Sequence, residues 1–173
     1  MASVVKEPSL EVVDGLDGLD AVVCLVPEDQ RPLQGGAGFV DFRLCGALSR
    51  ALADGFFCGA HGEKLLVPSE ARLSPPMVFA LGLGPARAVT ALGLEHVLAN
   101  ARHMLEQALA QHVALALPTL PHLDASAAGT LVGRAFVKPW TAGRVVVLAE
   151  SAAASHLDSA ARAQPVDSRG AQG

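Results

Sequence analysis

Apolar runs and amphipathic stretches alternate along most of this chain. Three of the runs are apolar throughout and only five or six residues long: Ala21–Val26, Val78–Leu83 and Val113–Leu117. Continuous apolar character over this length is typical of strands that are buried on both faces of a sheet. We therefore predict that these three runs form the buried central strands.

Three further short runs are also predicted to be strands. They are Leu10–Val13, Lys64–Val67 and Arg144–Leu148. Because Leu10–Val13 precedes every predicted helix, the pattern predicts a mixed, mainly parallel sheet. The polar and then glycine-rich stretch Glu28–Gly38 is predicted to be a loop.

Helical periodicity follows this loop. Phe42, Cys45, Leu48 and Leu52 recur at steps of three and four residues, which predicts an amphipathic helix over Asp41–Ala53. A glycine just past the last residue of the segment suits the end of a helix.

A longer helix is predicted to begin after Thr90, whose hydroxyl suits the N-terminal cap. Its buried side is predicted from apolar residues at helical spacing, which are Leu94, Leu98, Ala101, Leu105 and Leu109. Arg102 and Glu106 lie between them and mark the side that faces water.

Two further helices continue the alternation of strands and helices. One is predicted to be capped by Asp124 or Ser126 and to extend to about Phe136, and the other to run from Ser151 to about Ala163. Strands that alternate with helices predict an α/β fold of three layers, with a mixed, mainly parallel sheet and helices on both of its faces.

The composition fits one domain with a core of small aliphatic side chains. Of the 173 residues, 51% are hydrophobic but only 4% are aromatic. A chain of this length suits a single domain. We expect that domain to span residues 1–163, and we expect residues 164–173, which are mostly polar or glycine, to form a flexible C-terminal tail.

Charge and cysteine content exclude several classes of function. The net charge of −4 and the lack of a basic run argue against nucleic-acid binding. No apolar run approaches the length of about 18 residues that a membrane span needs. The three cysteines are an odd number and no signal peptide is recognisable at the start, so we expect free thiols and a cytoplasmic location.

One glycine cluster is a candidate ligand site. Gly35, Gly36 and Gly38 precede the first amphipathic helix, and such a loop can cradle phosphate with its backbone N–H groups. No Gly-Lys-Ser/Thr follows, so the cluster is not a P-loop. A flexible surface loop without a ligand is the other interpretation. Residues 82–85 end a predicted strand and are interpreted as a tight turn.

No pattern of reactive side chains predicts catalysis. Six histidines are present without a His-Glu-x-x-His arrangement. Ser49 and Ser69 lack the Gly-x-Ser-x-Gly elbow, and Cys58 lies in a predicted loop without a local signature. We therefore predict no bound metal, no cofactor and no catalytic residue.

A series of short segments resembles, in order and spacing, the N-terminal domain of cytosolic leucine aminopeptidases. The resemblance covers roughly Leu10 to Lys138. The matching segments are GALSRAL at 46–52, GF at 55–56, GE at 62–63, LLVP at 65–68, VFALGLG at 78–84, VALALP at 113–118 and LVGRAF at 131–136.

This resemblance implies a macro-like fold and a non-catalytic role. The family's two metals are held by a separate C-terminal domain, whose acid- and lysine-rich motif this sequence lacks. DAVV at 20–23 and the glycines at 35–38 also resemble the ligand-site segments of macro domains. However, CLVP at 24–27 and PTLPH at 118–122 stand where macro domains carry an Asn pair and a phosphate loop, and proline has no N–H to donate.

The resemblance therefore implies a stand-alone domain that acts through protein contacts, in assembly or regulation. We expect a protein partner or self-association as a homo-oligomer, because mean hydropathy is high at +0.37. The expected interface is the last helix, with Ser151, Ala154, His156 and Leu157. The alternatives are a macro-type binder of ADP-ribose or a nucleotide, and a degenerate hydrolase of ADP-ribose adducts.

Overall fold

The three continuous apolar runs lie side by side in the centre of a six-stranded sheet, as predicted. A computed structural model describes residues 3–162 of the chain. The strands are Ser3–Lys6 (β1), Ala21–Pro27 (β2), Lys64–Pro68 (β3), Met77–Gly84 (β4), Val113–Ala116 (β5) and Val145–Leu148 (β6). Their order across the sheet is β1-β6-β5-β2-β4-β3, and every neighbouring pair is parallel except β3–β4.

Six α-helices cover the two faces of this sheet within the described residues. They are Leu10–Asp14 (α1), Gly35–Arg43 (α2), Ala47–Ala53 (α3), Ala91–Gln107 (α4), Ala125–Val132 (α5) and Ser151–Arg162 (α6). A 3₁₀ turn at Ala86–Ala88 precedes α4, and a π turn at Gly133–Val137 continues α5.

The central strands send alternate side chains to opposite faces of the sheet, which makes two hydrophobic clusters. In β2, Val23 and Leu25 belong to the first cluster, which includes α4, α5 and α6. Val22 and Cys24 belong to the second cluster, which includes α1, α2 and α3. All seven residues of β2 are buried. The predicted three-layer fold, with helices on both faces of the sheet, is confirmed.

The strand predicted at Leu10–Val13 is wrong, because this segment forms helix α1. The side chain of Ser9 accepts a hydrogen bond from the backbone N–H of Val12 at 3.1 Å, which caps the helix. The first strand is instead β1, which pairs with β6. The sheet is mixed as predicted, but its antiparallel member is β3.

The single helix predicted over Asp41–Ala53 is two helices separated by a break. Cys45 and Gly46 adopt left-handed backbone conformations, with φ of 54° and 79°. The buried carboxylate of Asp41 crosses the break, since it accepts hydrogen bonds from the N–H of Leu48 at 2.7 Å and the hydroxyl of Ser49 at 2.5 Å. Capping of α3 by Asp41 therefore replaces the continuous helix that the sequence suggested.

Helix α4 follows its prediction closely. The Thr90 hydroxyl accepts the N–H of Gly93 at 3.0 Å, and four of the five residues of the predicted stripe are buried. Leu109 is the exception, because it lies beyond the helix end with φ of 56° and is 85% exposed. Asp124, and not Ser126, caps α5 by accepting the N–H of Ala127 at 2.8 Å.

The predicted tail at 164–173 lies outside the described residues. Within residues 3–162, none of the helices has the length and apolar character needed to cross a membrane.

The first cluster holds the one tryptophan of the chain, Trp140. Its ring stacks on that of Phe136 with 5.9 Å between the ring centroids. Its indole N–H donates to the carbonyl of Gln111 at 3.1 Å.

Candidate functional site

The parallel strands β5 and β6 end side by side, and the region beyond the carboxyl ends of the strands is where open α/β sheets place ligands. A cavity of about 160 Å³ opens there between α5 and α6. Its lining is mainly apolar and consists of Leu117, Pro118, Thr119, Leu120, Leu123, Asp124, Ala125, Ala128, Ala149, Glu150 and Ala153.

The charged groups around this cavity are carboxylates. The hydroxyl of Thr119 donates to Glu150 Oε1 at 2.5 Å. Asp124 accepts hydrogen bonds from the N–H of Ala127 and the hydroxyl of Ser126, and these bonds hold the pKa of its carboxyl below the ordinary value. Among the described residues, no lysine or arginine lines the cavity. The site therefore presents negative charge, which disfavours an anionic ligand.

The three predicted ligand glycines lie in the first turn of α2 instead of in a loop. A methyl group on Gly36 would lie 2.8 Å from Cβ of Ala116 and 3.1 Å from Cβ of Leu148, so Gly36 lets the helix approach the sheet. A methyl on Gly38 would lie 2.5 Å from the carbonyl oxygen of Leu33. Packing requires both of these glycines.

Gly35 alone among the three is exposed, and it lies beside the cavity. It has φ of 58°, and a Cβ at this position would lie 3.9 Å from the carbonyl oxygen of Leu117. The side chain of Gln34 does not cap the helix. In the described part of the chain, the N–H groups of Gly35 and Gly36 make no hydrogen bond, but Gly36 is buried, so only Gly35 offers an accessible donor beside the cavity.

The glycines at the end of β4 also serve packing. A Cβ on Gly82 would lie 1.9 Å from the carbonyl oxygen of Ala60, and Gly84 has φ of 76°. The N–H of Gly84 donates to the carbonyl of Gly59 at 2.9 Å. The tight turn predicted at residues 82–85 is only partly found, because residues 82–84 are the last three of β4 and the chain bends at Pro85.

Asp20, which opens the segment resembling macro domains, holds two central strands together at their amino ends, opposite the cavity. Its carboxylate accepts the N–H groups of His112 and Gln111, each at 2.8 Å. These two hydrogen bonds hold the pKa of Asp20 below the ordinary value. Asp20 therefore fixes the start of β5 beside β2 and lies away from the cavity.

The cysteines, Ser49 and Ser69 show no activating partner within the described residues. Cys24 is fully buried, and burial raises the pKa of its thiol to about 12, so the reactive thiolate is absent near neutral pH. Cys45 and Cys58 are exposed free thiols. The hydroxyl of Ser49 donates to Asp41 without a histidine, and the hydroxyl of Ser69 donates to the carbonyl of Leu73 at 3.3 Å.

The structure brings together no metal-ligand set among residues 3–162. No three side chains of His, Cys, Asp or Glu in that range are close enough to hold an ion. One histidine, His112, accepts the backbone N–H of Arg144 through Nδ1 at 3.0 Å, which ties β5 to β6.

The predicted interface on α6 is divided by the fold. Ser151 and His156 are exposed, and Ala154 is half-buried. Leu157 is fully buried in the first hydrophobic cluster, so its assignment to an interface is wrong. The apolar side of α6 is used inside the domain and is not available to a partner.

The sequence pattern missed an exposed aromatic surface on α2. Phe42, which it placed on a buried stripe, is 65% exposed, and Cys45 is exposed as well. The guanidinium of Arg43 lies 5.8 Å from the centre of the Phe42 ring. Both residues border an open groove of about 650 Å³, which we call the α2–α3 groove; its lining is Pro32, Leu33, Gly38, Asp41, Phe42, Arg43, Cys45, Gly46 and Ser49.

This architecture is that of a macro-like α/β domain. A macrodomain from Oceanobacillus iheyensis superposes with a TM-score of 0.66 at 13% identity, covering 92% of this chain and 89% of that one. A Trypanosoma brucei macrodomain, solved in complex with ADP, superposes with a TM-score of 0.65 at 12% identity, covering 92% of this chain and 68% of that one. At these identities the similarity shows the fold alone.

The family follows from the sequence itself. Residues 22–137 match the N-terminal domain of the cytosol aminopeptidase family, and the chain belongs to that family. A tomato leucine aminopeptidase variant has a TM-score of 0.61 at 18% identity, covering 93% of this chain but only 35% of that one. No curated protein matches significantly. The chain thus spans about a third of the tomato enzyme's length.

Proposed function

We propose that this domain acts by binding another protein, in assembly or regulation, and that it catalyses no reaction. Its match to the N-terminal domain of the family supports this role. The chemistry of the strand-end cavity is consistent with it, because Glu150 and Asp124 are there without a nucleophile or a metal-ligand set among the described residues. Free thiols are compatible with a reducing, cytoplasmic compartment.

The observation that carries the proposal is the exposure of Phe42 beside the α2–α3 groove. An aromatic ring that is 65% exposed next to an apolar groove loses water contact favourably when a partner covers it. Aromatic and arginine side chains dominate the binding energy of many interfaces. Phe42 and Arg43 supply this combination on one short segment of helix.

Affinity capture tests the interaction. The substitution Phe42→Ala is expected to weaken binding of a captured partner by at least about tenfold, which is typical of an aromatic anchor. The matched control is Leu109→Asn, because Leu109 is also strongly exposed but lies on the turn after α4, and asparagine tolerates its positive φ. A partner that binds the Phe42→Ala variant as tightly as the wild type would contradict the proposal.

The non-catalytic part of the proposal is tested separately. We expect no release of leucine from a chromogenic substrate and no stoichiometric zinc or manganese in the purified protein. Either activity or stoichiometric metal would show that the chain carries catalytic machinery.

A macro-type nucleotide binder is the second candidate. The accessible N–H of Gly35 beside the cavity favours it, and the similar Trypanosoma brucei domain was solved with ADP. The carboxylates of Glu150 and Asp124 and the missing N–H of Pro118 oppose it. We expect ADP-ribose to bind with a Kd no tighter than about 0.1 mM. A micromolar Kd by calorimetry would make this the preferred function.

A further inference from the structure

We propose that the free edge of β3 pairs with β3 of a second copy of this chain, so that two sheets join across a two-fold axis centred on Leu66. The inference rests on the proposed function only in that the chain works through protein contacts. It uses an edge strand that is separate from the α2–α3 groove, so the two surfaces can be tested one at a time.

The backbone of β3 shows which of its groups are free. The N–H of Ser69 donates to the carbonyl of Pro76, and the N–H of Gly82 donates to the carbonyl of Glu63, at 2.9 and 2.8 Å. In an antiparallel pair the hydrogen-bonded positions alternate. The odd-numbered residues of β3 therefore bond to β4, and the even-numbered ones point away from it.

The outward-pointing groups of this strand have no partner in the part of the chain that the structure describes. They are the N–H and carbonyl groups of Lys64 and Leu66 and the carbonyl of Pro68. Because β3 is the last strand in the sheet, these groups face open space along its edge.

The free edge is complementary to itself about a two-fold axis at Leu66. A two-fold axis at Leu66 lets the N–H and carbonyl of Leu66 bond to Leu66 of the partner subunit in both directions. The same axis places the N–H of Lys64 against the carbonyl of Pro68 of the partner subunit. Pro68 lacks an N–H, so only the carbonyl of Lys64 is left without a bond across the pair.

The side chains fit this register as well. Lys64, Leu66 and Pro68 project on one face of the sheet and are all exposed, with Leu66 at 53%. The axis would set Leu66 against Leu66 of the partner subunit and the aliphatic stem of Lys64 against Pro68 of the partner subunit.

The lysine and the proline favour this register over the neighbouring ones. Both residue types commonly protect edge strands from uncontrolled pairing. With the axis moved to Leu65, the two lysine side chains would lie diagonally across the pair and repel each other. With the axis moved to Val67, Pro68 would lie opposite Leu66 of the partner subunit, and both Leu66 carbonyls would lack a donor. A short contact of this kind belongs to the weak class of interfaces, so we expect a dimer Kd of about 10⁻⁵ to 10⁻⁴ M.

Sedimentation across a dilution series up to about 0.5 mM tests the pairing. The key variant is Leu66→Pro, because its missing N–H would remove no bond to β4 and proline is tolerated on edge strands. We expect the wild type and the matched control Leu109→Asn to dimerise and Leu66→Pro to remain monomeric. Circular dichroism confirms that each variant is folded.

A second variant is expected to strengthen the dimer. Pro68→Val supplies the N–H that the carbonyl of Lys64 of the partner subunit lacks, so the Kd should fall by at least about fivefold. A wild type that is monomeric at the highest concentration overturns the proposal. So does a Leu66→Pro variant that dimerises like the wild type, or a Pro68→Val variant that dimerises no more tightly.

These results are independent of the proposed function. If the chain is monomeric but still captures a partner through Phe42, only the edge pairing fails. If it dimerises through β3 but Phe42→Ala leaves capture of the partner unchanged, only the proposed function fails.

Discussion

The two helix layers use their apolar residues in opposite ways. On the α4 face, the side chains at helical spacing are buried against the sheet, and the helix keeps its predicted cap at Thr90. On the α2–α3 face, the same kind of spacing is interrupted at Cys45 and Gly46, and Phe42 is left exposed. A regular pattern that the fold satisfies builds the core, whereas one that the fold interrupts leaves apolar surface for other use.

The largest expected effect is a difference in the free energy of unfolding between substitutions on the two faces. Leu98→Ala on α4 should lower the free energy of unfolding by about 2–5 kcal/mol, because the side chain is fully buried. Phe42→Ala should change it by no more than about 0.5 kcal/mol. Urea denaturation measures both. A comparable loss in Phe42→Ala would show that the ring belongs to the core and would remove the contrast between the faces.

The next largest loss of stability is expected for Asp41, the residue that bridges the break between α2 and α3. Asp41→Ala should cost about 1–3 kcal/mol, since the N–H of Leu48 is buried and would lose its acceptor. The control is Asp54→Ala at the exposed end of α3, for which we expect almost no change. Equal denaturation midpoints for the two variants would mean that Asp41 does not hold the break.

How far the sequence predicts this structure depends on whether the deciding contact is local. The strands β2, β4 and β5 are predictable because burial on both faces demands an uninterrupted apolar run. Helix α4 is predictable because its cap and its stripe lie within its own sequence. The break at Cys45 is held by the hydrogen bonds of Asp41 to Leu48 and Ser49, and these bonds lie outside the three- and four-residue steps that a helical pattern uses.

The candidate site was predicted less well for the same reason. Gly36 has the sequence context of a phosphate loop, yet it is fixed by its distance to Ala116 on a strand some eighty residues later. Leu157 continues an apolar spacing, and only the packing of α6 on the sheet shows that it is buried. The Ser9 cap of α1, by contrast, was a local signal that could have identified that helix.

An intermediate loss of stability is expected for a substitution of Gly36 on the α2 face. Gly36→Ala should cost about 1–3 kcal/mol, because the added methyl would press on Ala116 and Leu148. Gly15→Ala is the control, since its φ is −88° and the nearest atom would be 3.4 Å away. Thermal unfolding compares the two variants. A Gly36→Ala variant as stable as the wild type would reopen a ligand role for this glycine.

The smallest expected effect is a pH dependence of the free energy of unfolding, caused by Asp20 at the amino ends of β2 and β5. The pKa of Asp20 is lowered in the folded chain, so its hydrogen bonds to Gln111 and His112 add stability above the ordinary value of 3.8. That stability is lost as the pH falls through the lower folded pKa. Asp20→Asn should therefore be less stable than the wild type at pH 7, with the difference shrinking in acid. An unchanged difference at pH 2–3 would contradict this role.

Hydrogen exchange with the captured partner bound tests the central claim, that protein contacts at the α2–α3 groove and not chemistry at the strand ends define this domain. The account predicts that partner binding slows exchange in residues 32–49, around Phe42, and leaves residues 117–125 and 149–153 unchanged. Protection confined to those two strand-end segments would contradict it and would place the function in the cavity between α5 and α6.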